Sequence, residues 1–288
     1  MHRIFRIALT GALVIGAAAC GDDNEPVAAG PQRIISLSPT HTEVLFALGA
    51  DDAVIAIDEQ SNFPAAALDK QHDLSGFEPN VEAIAALKPD LVIIADDSKD
   101  LTGQLAKLGI EVWVGLPPQS FDDAYAQIEQ LGAATGRIAQ AAELVLQMQT
   151  DIAATVAGVT APADSLSYYH ELDPTFYSVT STTFIGQVYG LFGLVNIADG
   201  VQEGNDYPQL SAEYIVSTSP DLVFLADTKC CGESADTVAG RPGWDAITAV
   251  AEGRVAVIDD DIASRWGPRL VDFVKAVAVA IAAVPVGG

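Results

Sequence analysis

Two glutamates, Glu82 and Glu213, occupy the same place in two copies of one short pattern. KPDLVIIAD (88–96) returns 131 positions later as SPDLVFLAD (219–227), and each copy follows a helical octapeptide, NVEAIAAL (80–87) or SAEYIVST (211–218). A carboxylate in the first turn of a helix is favoured by the helix macrodipole wherever it occurs. That preference does not require the same register in two repeats. Two acids held on two separate rigid bodies can instead measure a fixed distance across a symmetric partner, where rim charge sets orientation and encounter rate.

Sulfur and imidazole are the other reactive groups. Cys230 and Cys231 are adjacent in TKCCGES. Neighbouring Cα atoms lie about 3.8 Å apart across a trans peptide, less than the usual disulfide span, so a bridge between them would stiffen its loop and present a small apolar plate. Two free thiols and a pair of soft metal ligands are the alternatives, although two ligands do not make a site. The pair follows a strand end, where α/β folds place their ligands. His41, His72 and His170 also fall near strand ends, and each reads as a hydrogen-bonded histidine rather than a haem or metal ligand. His41 lies beside Ser38 and Glu43 without forming a nucleophile triad. The dinucleotide, P-loop, G-x-S-x-G and H-E-x-x-H signatures do not occur. No catalytic residue, metal or cofactor is therefore expected, and an exported enzyme is a distant alternative.

The elements that must position these groups alternate. RIISLSP (33–39) is a short strand, THTEVLFALGA (40–50) a helix stopped by Gly49, and DAVIAID (52–58) a strand. SNFPAAALDKQHDLSGFEPN reads as irregular. The helix VEAIAALK, the strand PDLVIIAD, the helix LTGQLAKLG and the strand IEVWVGL (110–116) follow. Continuous apolar strands alternating with helices signal a parallel sheet covered on both faces. DSLSYYHEL, TTFIGQVYGLFGL, SAEYIVST, PDLVFLAD and GRVAVID (253–259) repeat this grammar. Between the halves, Ile138, Ala142, Val145, Gln149, Ile152 and Val156 form a helical stripe with no proline or glycine from 137 to 157. Such a rod is roughly 30 Å long and would permit only small hinge motions. The expected fold is α/β: two Rossmann-like lobes, each a mainly parallel sheet flanked by helices, joined by one long α-helix. The expected boundaries are a leader (1–19), a tether (20–31), an N-terminal lobe (32–120), a helical segment (121–158) and a C-terminal lobe (159–288).

Composition sets the surroundings. The chain has 288 residues, half of them hydrophobic, and a formal charge of −25. That charge repels phosphate backbones, which excludes nucleic acid as a partner, and it suits a soluble protein that meets a positively charged surface. MHRIFR followed by IALTGALVIGAAA reads as an export leader too short to span a membrane. Small residues before Cys20 resemble a lipobox, which would make Cys20 the lipidated first residue, with ordinary A-x-A cleavage as the alternative. GDDNEPVAAGPQ reads as a flexible tether. Export to the cell envelope with a lipid anchor is the expectation, or a free periplasmic or secreted protein if Cys20 carries no lipid.

PQRIISLSPTHTEVLFALGADDAVIAID, SGFEPNVEAIAALKPDLVI and SRWGPR together resemble the helical-backbone class of ABC-transporter substrate-binding proteins, over residues 31 to 284. That family includes binders of cobalamin, siderophores and haem. The Tyr207-Pro208-Gln209-Leu210-Ser211 segment is most similar to the cobalamin binders. The resemblance implies a monomer that captures a small molecule between its lobes and delivers it to a permease dimer with its ATPase. It implies cleft roles for Phe77 and Tyr207, an amide-binding role for Asp261, and rim positions for Arg265 and Trp266. It implies docking of Glu82 and Glu213 onto permease arginines. Ile262 stands where those proteins often carry an aromatic. A cobalamin or related corrinoid is the expected ligand, with a ferric siderophore or haem as the alternative.

Overall fold

The computed structural model describes residues 30–160 and 165–285. The leader, most of the tether and Cys20 lie outside the described residues. The first half builds β1 (Ile34–Leu37), α1 (Pro39–Ala47), β2 (Val54–Asp58), β3 (Gln71–Leu74), α2 (Val81–Ala86), β4 (Leu91–Ile94), α3 (Leu101–Ala106) and β5 (Glu111–Val114). The strands make one parallel sheet in the order β3-β2-β1-β4-β5. After α4 (Phe121–Ala134) and α5 (Ile138–Gly158) come β6 (Ser167–Glu171), α6 (Phe184–Gly190), β7 (Val195–Asn196), α7 (Ala212–Thr218) and β8 (Leu222–Leu225). The chain ends with α8 (Thr228–Cys231), α9 (Ala235–Ala239), α10 (Thr248–Ala251), β9 (Val255–Val257), α11 (Asp260–Ser264) and α12 (Leu270–Ala282). The second sheet is also parallel, in the order β7-β6-β8-β9.

The internal repeat has a structural cause. β4 and β8 are the fully buried strands beside the first strand of each sheet, with Leu91 opposite Ile34 and Leu222 opposite Tyr168. The aspartate before each strand holds its neighbour in register. Asp90 accepts the Gln32 N–H at 2.9 Å, and Asp221 accepts the Ser167 N–H at 2.8 Å. Lys88 and Ser219 turn the chain into these strands with φ of 50° and 49°, an uncommon left-handed conformation for residues other than glycine. The helix starts match as well: Asn80 caps α2 and Ser211 caps α7 through their side chains.

Two expectations need correction. The segment read as irregular contains the edge strand β3. Its QHDL sequence buries only Leu74, so it lacks the apolar pattern by which a strand is recognised, and polar residues are what an exposed sheet edge tolerates. The stripe on α5 is rotated: Ala141, Val145, Met148 and Ile152 are buried, whereas Ile138, Ala142 and Gln149 are exposed. Packing against α4 decides this face. A side chain at Gly132 of α4 would strike Ala141, so the two helices approach there.

Apolar contact continues from one sheet to the other. A single cluster joins Ile34 and Leu45 of the first half, Ile128 and Leu131 of α4, Val145 and Met148 of α5, and Tyr168, Tyr189 and Phe273 of the second. The outer face of each sheet has its own cluster. Helices α4, α5 and α12 are thus an oily splint between the lobes, stiffer than a pair of linking strands.

Candidate ligand-binding cleft

The helices α2 and α7 each run back along a parallel sheet, so their N-termini lie at the carboxyl ends of the strands, where α/β folds collect their sites. Between the two lobes on this side lies a cavity of about 330 Å³. Pro117, Pro118 and Gln119, after β5, form its N-terminal wall; Thr182 to Ile185 at the start of α6, with Asp206 and Tyr207, form the opposite one. Ala263, Ser264 and Trp266 complete it. Thr183 sets the entry of α6 by accepting the Gly186 N–H at 2.9 Å. Asp206 is held by the hydroxyls of Thr182 at 2.7 Å and Thr180 at 3.3 Å. Among the described residues, no lysine or arginine lines the cavity.

Contacts between lobes flank the cavity. Gln187 Nε2 donates to the Gln119 carbonyl oxygen at 2.6 Å. A second and larger clasp centres on Glu43 of α1, which is 2% exposed. It accepts from Arg265 Nη1 at 2.9 Å and from Arg269 through Nε at 2.9 Å and Nη2 at 2.6 Å. Arg265 also donates to Asn62 Oδ1 (2.9 Å), the Gln60 carbonyl oxygen (3.1 Å) and Asp261 Oδ1 (2.7 Å). Asn62 Nδ2 and Lys229 Nζ both donate to Asp261 Oδ2, at 3.0 and 2.7 Å. Burial pushes the Asp261 carboxyl up, but bonds from Lys229 and Asn62 and the Arg265 charge outweigh it and hold the group below its ordinary value.

Of the residues singled out for the cleft, the structure brings Tyr207 and Trp266 into one cavity wall. Tyr207 is 51% exposed and offers an open ring face. Trp266 is positioned by its Nε1–H to Gln127 Oε1 at 3.1 Å. The same oxygen lies 3.2 Å from His41 Nε2, and Gln127 Nε2 donates to the Leu116 carbonyl oxygen. Phe77 is not in that wall; it is 73% exposed in the β3–α2 loop, with its carbonyl oxygen bonded to Lys99. Arg265 is not a rim residue. It is 8% exposed and its guanidinium is committed to the clasp, because only there does Glu43 find partners for its buried charge. Asp261 is committed likewise.

His41 is buried, and desolvation lowers its pKa to about 4, so the ring is neutral. His170 is fully buried against Tyr189 OH at 2.7 Å, and burial lowers its pKa to about 3. His72 is exposed in β3. Among the described residues no cluster of three or more His, Cys, Asp or Glu side chains is arranged to hold a metal ion. Glu82 and Glu213 are exposed at the second position of their helices, and neither carboxylate is in an ion pair among the described residues. Cys230 and Cys231 are joined as a disulfide with Cα atoms 3.8 Å apart.

The sequence pattern does not reveal a charged cluster under the second sheet's carboxyl end. Glu171, fully buried, takes both terminal nitrogens of Arg241 at 2.7 and 2.6 Å, and Arg241 also pairs with Glu233 at 2.9 Å. The guanidinium lies 4.5 Å from the Trp244 ring centroid and 5.4 Å from that of Phe176. Beside them Asp227 is fully buried, and burial with the Glu171 charge raises its pKa to about 7. The four charged residues come from four separate elements or loops, which no local pattern announces.

The chain matches the periplasmic binding protein family over residues 34–262 and belongs to it. It is 31% identical over 259 residues to an uncharacterized ABC transporter substrate-binding lipoprotein, YvrC, of Bacillus subtilis, covering 87% of this chain and 80% of that one. It is 30% identical over 247 residues to the vitamin B12-binding protein of Pectobacterium carotovorum, covering 83% and 84%. The crystal structure of the periplasmic vitamin B12-binding protein BtuF of Vibrio cholerae is similar with a TM-score of 0.70 and 27% identity, over 87% of this chain and 96% of that one. The chain is thus an ABC-type substrate-binding protein by family, and the relatives are binding proteins rather than enzymes.

Proposed function

We propose that the protein is an extracytoplasmic solute-binding lipoprotein that captures cobalamin or a related corrinoid between its lobes and delivers it to an ABC importer. The observation that carries this reading is the composition of the cleft wall: an exposed tyrosine, a tryptophan, prolines, threonines and one carboxylate, with no basic side chain among the described residues. A corrin is a broad, partly apolar plate fringed with neutral amides. Aromatic faces suit its burial, and hydroxyl and carboxylate oxygens accept its amide protons. An anionic ferric chelate or a haem with its propionates calls for arginine or lysine instead. The similarity to vitamin B12-binding proteins supports the same choice. At about 330 Å³ the cavity is at the small end for ligand sites, so a corrinoid would be held across its mouth with one edge inside.

Glu82 and Glu213 are read as the acids that dock each lobe onto one half of the permease dimer, and Cys20 as the lipidation point that keeps the protein at the membrane. The test titrates purified protein with cyanocobalamin, a ferric siderophore and haemin while tryptophan fluorescence is followed. Saturation by cyanocobalamin alone is expected; a response only to the ferric chelate or haemin would overturn the corrinoid. Tyr207→Ala should weaken binding by about tenfold, the loss of roughly 1.4 kcal/mol of ring contact. Replacing both Glu82 and Glu213 with lysine should leave binding intact and stop uptake.

A further inference from the structure

The Cys230–Cys231 bond is oddly placed for a structural staple. Cross-linking stabilises a fold more the longer the loop it closes, and a bond between neighbours closes the smallest loop a chain can make. No residue of α8 is buried, so packing does not hold this turn either. A carboxylate holds it. Asp260 of α11 accepts the N–H groups of Thr228 (2.9 Å), Lys229 (3.0 Å) and Cys230 (2.9 Å) together with the Thr228 hydroxyl (3.0 Å). Lys229 adds ion pairs to Asp259 and Asp261, each at 2.7 Å.

The segment that receives these bonds is the one that builds the cleft. Ala263, Ser264 and Trp266 line the cavity, and Arg265 reaches across to Glu43 of the other lobe. One side of this strap is therefore anchored in the N-terminal lobe through Arg265 and Arg269. Its other side is anchored on the cysteine turn through Asp260.

We propose that Cys230–Cys231 is a modification site, an exchangeable disulfide opened by dithiols outside the cytoplasm, whose state is transmitted through Asp260 to the cleft strap 259–266. Both cysteines are exposed. Cys230 Sγ lies 3.5 Å from the Asp227 carbonyl oxygen, so Cys231 presents the more open sulfur. A thiolate of the external dithiol attacks Cys231 Sγ; the S–S bond breaks, and Cys230 leaves as a thiolate that takes a proton. The second thiol of the reductant then attacks its own sulfur in the mixed disulfide and releases Cys231, which is protonated in turn. Two electrons and two protons pass to the protein, and the dithiol leaves as a disulfide. Freed of the ring, the turn no longer presents three amides to Asp260, and the strap is left to its anchors on the N-terminal lobe, through Arg265, Arg269 and the Asn62–Asp261 bond.

Hydrogen exchange read by mass spectrometry tests this on the full chain without ligand, in the presence and absence of dithiothreitol, with alkylation of the 228–233 peptide to score the thiols. Reduction should label both cysteines and speed exchange of 259–266 roughly tenfold, leaving β1 and β4 unchanged. The Cys230→Ser, Cys231→Ser double variant should exchange like the reduced protein whether or not dithiothreitol is present. Asp260→Ala, which removes both acceptor oxygens, should remove the difference between the two redox states. Unlabelled cysteines after dithiothreitol, or identical strap exchange in both states, would overturn the proposal. The readout requires no ligand, so it stands or falls apart from the identity of the cleft's occupant.

Discussion

Asp96 and Asp227 end the two copies of one motif, 131 positions apart, yet they live in opposite surroundings. Asp96 is exposed, and hydrogen bonds from the Ser98 hydroxyl and N–H hold its carboxyl below the ordinary value. Asp227 is fully buried, neither of its oxygens has a donor among the described residues, and burial with the Glu171 charge raises its pKa to about 7. The lobes differ around them in the same sense. Beneath the strand ends of the first sheet lies a chain of hydroxyls, with Thr42 bonded to Ser36 at 2.8 Å and to Ser61 at 2.9 Å, ending on Asp58. At the second, three carboxylates gather around one guanidinium. A shared topology therefore does not carry a shared polar interior. The shared backbone sets strand order and register, and it leaves open whether hydroxyls or ions fill the space beneath the strand ends.

The largest test of this contrast is truncation at each centre. Arg241→Ala would leave Glu171 buried without its partner and should cost about 3–5 kcal/mol. Ser61→Ala, which removes a hydroxyl contact to Thr42 and one hydroxyl donor to the Asp58 carboxylate, should cost about 2 kcal/mol; urea unfolding of both variants measures the gap. Equal losses would mean that the two interiors are energetically alike despite their chemistry.

The second test is pH. A carboxyl whose folded-state pKa is about 7, against an ordinary 3.8, binds its proton more tightly when folded. Its contribution is full below the ordinary value and is lost as pH rises through 7. Between pH 6 and 8 the wild-type protein should lose about 1.4 kcal/mol more stability than Asp227→Asn, by urea midpoints taken along the series. Parallel curves for the two proteins would place Asp227 with Asp96.

The smallest effect tests where the halves should agree. Asp90 and Asp221 do the same work at the start of β4 and β8. Alanine at Asp221 should cost about 1 kcal/mol, and somewhat less at the more exposed Asp90. A large asymmetry in thermal midpoints would show that one strand start is held by something other than this bond.

Much of the architecture was legible because its signals are local. Leu91 to Ile94 and Leu222 to Leu225 are unbroken apolar runs entered through Pro-Asp, and Gly49, with φ of 66°, ends α1 where a left-handed residue is required. β3 was not legible, because an edge strand of polar residues looks like a loop. The stripe on α5 shared Val145 and Ile152 with the buried face but was rotated around them, because Ala141, Val145, Met148 and Ile152 form an equally good period and only α4 chooses between the two. Tyr207 and Trp266 were reachable through the resemblance of their segments to known binders. The role of Arg265 was not, since its partner Glu43 is 222 positions away.

By itself the sequence determined the alternation of strand and helix, the caps, the turns into β4 and β8, and a repeat that sets Glu82 and Glu213 in matching helix positions. Each depends on residues within a few positions of one another, where sterics and hydrogen bonding act without help from the rest of the chain. Only the tertiary structure decided that Glu43 clasps two arginines from the far end of the molecule. It alone decided that one motif aspartate stays wet while its twin is buried, because desolvation depends on what packs over a group, and that is settled by elements far away in the chain.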